Sequence, residues 1–156
     1  MATRKPVASR PDLAAMLAPL ARSLMALETP VLERHGLTMW GYAVLSGLRG
    51  QEVRTQSALA ESIGADKTRV IAVLDDLQDD GLINRQPDPA DRRARLLSLT
   101  DRGARVHAAA QADIQRRENA LLARLGRAER AAFLSALETL AAIPRDEIVA
   151  LAEHRT

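Results

Sequence analysis

Apolar residues recur at intervals of three and four along most of the chain, and this spacing predicts amphipathic helices. The first stripe, within a helix predicted from Pro11 to about His35, consists of Leu13, Leu17, Leu20, Leu24, Leu27 and Val31. Pro19 and Pro30 interrupt it, and each removes a backbone donor, so we expect a kink or a break at both positions. A stripe of this kind packs either on its own core or on a second copy of the chain.

Two short helices with a tight turn between them are predicted over residues 55–64 and 66–80. Thr55 and Asp66 are suitable N-caps, Gly64 occupies the turn and Gly81 ends the second helix. The apolar positions that fall on the inward faces of this pair are Leu59, Ile63, Val70 and Val73. The pattern is typical of a helix-turn-helix.

A hairpin is predicted directly after these helices, over residues 82–99. The segment 81–85 forms one strand, Pro87-Asp88-Pro89 ends it, and the segment 95–99 returns antiparallel before Thr100 caps the next helix. The short segment 51–54 is a candidate third strand. From Gly81 to Arg105 there are six arginines against three aspartates, a local charge of +3. Alone, such a loop is a solvated turn, but beside a helix-turn-helix it is suited to contact phosphates or a narrow minor groove.

The flanking segments are helical as well. Before the helix-turn-helix, a helix capped by Thr38 runs to about Gly50 and carries Trp40 and Tyr42, two of the three aromatic residues. After the hairpin, a helix of about 25 residues from Thr100 to Leu125 would span about 38 Å. Gly126 breaks it, and further helices are predicted over 127–142 and, beyond Pro144, near the C-terminus.

Composition limits the class of protein. The 156 residues suffice for one ordinary domain, and 47% hydrophobic content with only 2% aromatics predicts a mostly α core of Ala and Leu. The net charge of +2 means that a nucleic-acid surface would be a local patch. With no cysteine, disulfides and thiolate metal sites are excluded. No apolar run approaches about 18 residues, so we expect a soluble cytoplasmic protein that does not contact the membrane.

Catalytic patterns are missing from the sequence. The three histidines are scattered, and the chain contains no glycine-rich phosphate loop, no His-Glu-x-x-His spacing and no nucleophile elbow. We therefore predict that the protein is not an enzyme and uses no cofactor or metal. A metal site that combines His107 with carboxylates from another helix remains as an alternative.

The residues of the hairpin resemble a known family. Asp91-Arg-Arg93, followed by five residues and then Leu99-Thr100 and Gly103, and preceded by Leu77 and the segment 81–85, closely resembles the wing signature of the MarR family of bacterial transcriptional regulators. The resemblance implies a mainly α fold with a small β-hairpin wing. A winged helix-turn-helix DNA-binding lobe over 36–103 would be joined to a helical dimerisation platform over 11–35 and 104–156, with residues 1–10 as a flexible basic arm.

The resemblance also implies a function, namely a ligand-responsive homodimeric repressor that binds double-stranded DNA at an inverted-repeat, pseudo-palindromic operator. The residues expected to contact DNA are Gln56, Ser57, Lys67, Thr68, Arg69, Arg92, Arg93 and Arg95. Asp91 is expected to pair with Arg93 and stiffen the wing. Trp40, Tyr42 and His107 are candidates to line a pocket for a small lipophilic or aromatic effector, while the alternative interpretation of the two aromatics is that they anchor the core. The alternative function is a helical protein interaction module that uses the winged fold without DNA.

Overall fold

The computed structural model describes residues 10–50 and 54–152, without the side chains of Arg54 and Lys67. This part of the chain contains seven helices, α1 (Leu13–Arg34), α2 (Met39–Leu48), α3 (Gln56–Ile63), α4 (Lys67–Asp79), α5 (Asp101–Leu122), α6 (Arg127–Ala141) and α7 (Arg145–Ala150). Its three strands are β1 (Arg54–Thr55), β2 (Ile83–Pro87) and β3 (Arg95–Leu99). The predicted mainly α fold with a hairpin is confirmed. The predicted N-terminal arm up to residue 9 and residues 51–53 of the candidate strand lie outside the described residues.

Helix α1 is continuous through Pro19 and Pro30, so the break that we expected at these prolines is wrong. A proline removes one backbone hydrogen bond and crowds the carbonyl four residues before it, but here the helical conformation continues past both positions. The end of the helix is also fixed by tertiary packing, because Val31 and Leu32 are buried.

The predicted caps of α2, α3 and α4 are confirmed. The Thr38 hydroxyl accepts the Gly41 N–H at 3.0 Å, the Thr55 hydroxyl accepts the Ala58 N–H at 3.2 Å, and the Asp66 carboxylate accepts the Arg69 N–H at 2.9 Å. Each bond satisfies a donor of the first turn that has no partner within the helix. Local sequence therefore determines where these three helices begin.

The three strands form one antiparallel sheet in the order β1-β3-β2. Strand β2 begins two residues later than we predicted, because Gly81 N–H and Leu82 N–H first bond the last turn of α4, at Gln78 O and Leu77 O. Pro87 is paired with Arg95 at the end of β2. Proline is tolerated there because β2 is an edge strand.

Helix α5 ends at Leu122, three residues earlier than predicted. Arg124 N–H and Leu125 N–H bond carbonyls only three residues back, so the chain tightens into a turn. Gly126 N–H is then bonded to the Glu129 carboxylate at 2.9 Å, which caps the start of α6.

The chain divides into two compact units, one ending at Ile114 and the other beginning at Gln115. The core of the first unit is formed by side chains from helices α1 to α5 and from the sheet. Leu45, Leu59, Leu74 and Leu97 belong to it and have no exposed surface. Within the described residues of the second unit, no side chain is buried. Among the described helices, none is both long and apolar enough to cross a membrane.

Candidate nucleic-acid interface

Helices α3 and α4 form a helix-turn-helix. Gly64 turns the chain between them at φ +67°, a left-handed conformation that a residue with a Cβ rarely adopts. Its N–H bonds Glu61 O at 3.2 Å, and Ala65 N–H bonds Ala60 O at 3.0 Å. These bonds close the end of α3, after which Asp66 caps α4.

Helix α4 has one buried and one exposed face. Val70, Leu74 and Leu77 are turned into the core with at most 4% of their surface exposed. The opposite face carries the exposed side chains Thr68, Ile71, Ala72 and Asp75. Lys67 is the first residue of the helix, at the end that has free N–H groups and the positive end of the dipole. Three of the predicted contact residues, Lys67, Thr68 and Arg69, therefore lie on the first turn of a helix that has an exposed outer face.

Arg69 is held beside Trp40. The centre of its guanidinium is 5.2 Å from the centroid of the Trp40 ring, and its Nε is 3.9 Å from the Asp66 carboxylate. The Arg69 side chain remains 55% exposed. An aromatic face and a carboxylate together restrict a long side chain without removing it from solvent.

Tyr42 lies against His107 on α5. Their ring centroids are 5.0 Å apart with the planes inclined by 10°, and Ser46 Oγ and His107 Nε2 share a hydrogen bond of 2.9 Å. Burial, reinforced by the positive charge of Arg49, lowers the pKa of His107 below its ordinary value of 6.5. His107 is thus a buried neutral imidazole between α2 and α5.

Of the three candidate effector residues, Tyr42 and His107 are therefore in contact, whereas Trp40 lies apart from them. Trp40 and Tyr42 are two positions apart on α2, which separates their directions by about 200°. Trp40 contacts Arg69, whereas Tyr42 stacks on His107. Ser46, the third member of the Tyr42 and His107 group, was missed because a lone serine in a helix carries no sequence signal.

The loop between β2 and β3 is closed by backbone and carboxylate bonds. Asp88 N–H bonds Ala94 O at 3.1 Å, the Asp88 carboxylate accepts the Ala90 N–H at 2.8 Å, and the Asp91 carboxylate accepts the Arg93 N–H at 2.9 Å. Asp91 thus contacts the backbone of Arg93, and among the described residues no ion pair joins its carboxylate to the Arg93 guanidinium. The side chains left exposed on this hairpin include Arg92, Arg93 and Arg95.

An ion pair between Asp75 and Arg85 joins α4 to the hairpin. Arg85 Nη1 donates to the Asp75 carboxylate, and the arginine side chain is only 19% exposed. An unpaired carboxylate on the outer face of α4 would repel phosphate, and the ion pair compensates this charge. The pair was missed because its members are ten positions apart, on two different elements.

The two residues of α3 that we predicted to contact phosphate, Gln56 and Ser57, differ in exposure. Ser57 is exposed at the start of the helix, whereas the Gln56 Nε2 atom is buried and has no hydrogen-bond partner within the described chain. The two residues line a small cavity of about 60 Å³ together with Val70 and Ile71 of α4.

Thr100 and Gly103 join the hairpin to α5. The Thr100 hydroxyl donates to Gly81 O at 2.8 Å and accepts the Gly103 N–H at 2.9 Å. A Cβ on Gly103 would lie 1.9 Å from Leu82 O, so only glycine fits. The threonine and glycines of the wing signature therefore have a structural role, which is to hold the end of α4 against the start of α5.

Comparison with known proteins supports the same site. The model of the MarR family matches residues 37–94, from the connection between α1 and α2 to the end of the wing loop. A protein of Thauera aromatica named for transcriptional regulation of the hcr operon is 31% identical over 105 residues, which cover 67% of this chain. The chain spans 63% of that relative's length.

Two solved structures are similar over most of their length. The transcriptional repressor CouR, bound to a 23-mer DNA duplex, is 32% identical with a TM-score of 0.73, covering 83% of this chain and 92% of CouR. The PcaV transcriptional regulator from Streptomyces coelicolor, in complex with its natural ligand, is 32% identical with a TM-score of 0.65, covering 85% of this chain and 96% of PcaV.

Proposed function

The chain belongs to the MarR family, and from this premise we propose that it is a transcriptional regulator that binds double-stranded DNA as a homodimer and responds to a small ligand. The observation that carries the proposal is the α4 helix, capped by Asp66 and tied to an arginine-bearing hairpin through Asp75 and Arg85. Each of the three similar proteins is named as a regulator of transcription. We therefore infer that the protein has no catalytic activity.

Helix α4 is the element that enters the major groove. Its first turn, with Lys67, Thr68 and Arg69, faces the base edges, because the N-terminal end of a helix carries the positive dipole and free N–H groups. Arg69 binds a guanine through two hydrogen bonds, a contact worth about 1 to 3 kcal/mol of discrimination. Trp40 and Asp66 hold the guanidinium near this position in the free protein.

The hairpin supplies the flanking contacts. Arg92, Arg93 and Arg95 are exposed, and the loop that carries two of them is held by the bonds of Asp88 and Asp91. A loop of fixed shape presents its cations to the phosphate backbone or the narrow minor groove with little loss of entropy. Ser57 and, after rotation of its buried amide, Gln56 contact phosphates from the start of α3.

Two copies of the chain form the functional unit and read the two halves of an inverted repeat. The support from this chain is the apolar surface that is left exposed near both ends. On α1 it consists of Leu13, Met16, Leu17 and Met25, and in the second unit of Leu121, Leu125, Phe133, Leu134, Leu137, Leu140, Ile148, Val149 and Leu151. Light scattering after size exclusion is expected to give twice the mass of the chain, and a monomer would contradict the dimer.

A small lipophilic or aromatic effector regulates the protein, which acts as a repressor in the cytoplasm. An effector that binds one arrangement of the two α4 helices better than another changes the affinity for DNA. We propose that it contacts Tyr42, whose ring is stacked on His107. Release of DNA by a panel of aromatic carboxylic acids, lost in Tyr42→Ala, would test this contact.

Fluorescence anisotropy with a labelled duplex from the region upstream of the protein's own gene tests the DNA-binding function. We expect nanomolar affinity, and a loss of at least about tenfold in Arg69→Ala because each dimer loses two base contacts. Arg92→Ala should weaken binding and reduce its salt dependence, because each lost phosphate contact lowers the slope of log K against log salt by about 0.9.

The matched control is Arg124→Ala, which removes an exposed arginine outside the α4 helix and the hairpin. It should bind as the unmodified protein does. Binding no tighter than to random duplex and unchanged by Arg69→Ala would overturn the DNA-binding function and favour a protein partner for the winged surface.

A further inference from the structure

One apolar side chain on the outer face of α4 has no protein partner in the core. Ile71 is 47% exposed, and in the described part of residues 36–114 it is the only large apolar side chain left exposed. Its neighbours on the buried side of the helix, Val70 and Leu74, have 2% and 0% exposure. Packing of the first unit therefore does not explain an isoleucine at this position.

Ile71 lies one helical turn beyond Lys67, about 6 Å further along the axis. It shares the outer face with Thr68, Ala72 and Asp75. One side of Ile71 lines the small cavity formed with Gln56 and Ser57 at the start of α3. Isoleucine is also stiff at χ1 because it is branched at Cβ, so its methyl groups are held in a defined direction.

We propose that Ile71 determines part of the DNA sequence specificity by contacting the C5-methyl group of a thymine in each half-site. The inference rests on the proposed DNA-binding function of α4. In the major groove the thymine methyl is the apolar group that the base pairs present, whereas the other distinguishing groups are hydrogen-bond donors and acceptors. An apolar side chain on the groove-facing side of α4 thus matches one base.

The charge around Ile71 allows this approach. Asp75, one turn further along the same face, would repel phosphate if it were unpaired, but Arg85 binds its carboxylate. Thr68 and Ala72 are small enough to let the helix lie close to the bases. The outer face of α4 is therefore apolar at its centre, and the negative charge of Asp75 at its far end is balanced by Arg85.

A second copy of the chain is a poorer partner for Ile71. Stable interfaces bury about 800 Å² on each partner, and Ile71 is a single apolar side chain among small and polar neighbours. The other exposed apolar residues lie on α1 and beyond Ile114. An isolated side chain of this kind suits a contact with one methyl group.

The test uses a duplex selected by the unmodified protein from a pool of random sequences. Each thymine of the selected site is replaced in turn by deoxyuridine, which keeps base pairing and removes only the C5-methyl. We expect one symmetry-related thymine in each half-site at which the replacement weakens binding about fourfold, the value of one buried methyl group. Replacement in both half-sites should weaken binding about sixteenfold.

Variants of Ile71 test whether this side chain causes the weaker binding to the deoxyuridine duplexes. Ile71→Ala and Ile71→Ser should bind the thymine and deoxyuridine duplexes equally, whereas Gln78→Ala, an exposed change at the far end of α4, should keep the discrimination. Indifference of the unmodified protein to every deoxyuridine overturns the inference and leaves the DNA-binding function intact. Undiminished discrimination in both Ile71 variants, or conversion of the protein to a monomer by Ile71→Ala, also overturns it. A pool that shows no enrichment overturns the DNA-binding function itself, and the inference with it.

Discussion

The ring of His107 is stacked on the ring of Tyr42, with centroids 5.0 Å apart, and this pair joins α5 to α2 inside the first unit. The imidazole is only 2% exposed and shares a hydrogen bond with Ser46. A charged imidazolium would be poorly solvated there and would also face the positive Arg49. The contact therefore requires a neutral histidine.

Acidification should destabilise the protein through His107. Its folded-state pKa is below 6.5, so the unfolded chain binds the proton more readily. The contribution of His107 to the free energy of unfolding is constant above the unfolded pKa. It falls as the pH drops from about 6.5 towards the lowered folded value. Urea unfolding at several pH values from about 7.5 to 5.5 would measure this, and His107→Gln should have a flatter profile than the unmodified protein. Equal pH dependence in both proteins would contradict the assignment.

Gly103→Ala should be strongly destabilising. Its new Cβ would lie 1.9 Å from Leu82 O, a backbone atom that cannot move without separating α4 from α5. We expect a loss of at least about 2 kcal/mol in the free energy of unfolding by urea. Ala108→Gly, at an exposed position of the same helix, is the control and should cost about 1 kcal/mol through helix propensity alone. A Gly103→Ala variant as stable as the unmodified protein would show that the two helices can separate freely.

Trp40→Ala should weaken DNA binding although Trp40 itself is not proposed to touch a base. Its ring holds the Arg69 guanidinium at 5.2 Å, and loss of an exposed cation–π contact of about 0.5 to 1 kcal/mol in each of the two subunits corresponds to about five- to thirtyfold in affinity. The effect should disappear in an Arg69→Ala background, which a double-mutant cycle by anisotropy would measure. Tighter binding by Trp40→Ala would mean that Trp40 withdraws Arg69 from the DNA.

Arg85→Ala should weaken DNA binding by releasing the charge of Asp75 on the outer face of α4. The carboxylate, 58% exposed, would then face the phosphates without its partner. The further change Asp75→Asn should restore much of the affinity, since it removes the repelling charge. Affinity measured for the two variants would decide this, and a double variant as weak as Arg85→Ala would indicate that the pair acts through the position of the hairpin.

The sequence predicted the elements of the interface well, because their signals are local. Thr55, Gly64 and Asp66 define the ends of α3 and α4 through bonds to residues at most five positions away. The resemblance to the MarR family, based on the segment from Leu77 to Gly103, is also confirmed. The helix breaks expected at Pro19 and Pro30 are wrong, and beside Pro30 the packing of Val31 and Leu32 supports a helix that local preference disfavours.

The DNA contacts of the predicted arginines and lysine, and the effector pocket, stay predictions. What the structure adds is the environment of these residues. Trp40 and Tyr42 lie on different sides of α2, and Asp91 bonds the backbone of Arg93. The different directions of Trp40 and Tyr42 follow from their spacing on a helix, but their contacts with Arg69 and His107 depend on other elements, and the bond of Asp91 depends on its rotamer.

The sequence by itself determined the succession of helices, their caps, the glycine turn and the basic hairpin, since each depends on residues a few positions apart. Only the tertiary structure decided that Asp75 is neutralised by Arg85, that Tyr42 covers His107 and that Ile71 is turned outward. Asp75 and Arg85 are 10 positions apart and Tyr42 and His107 are 65 positions apart, while Ile71 has no partner in the core. Their arrangement follows from how α2, α4, α5 and the sheet pack around one core, which no local pattern specifies.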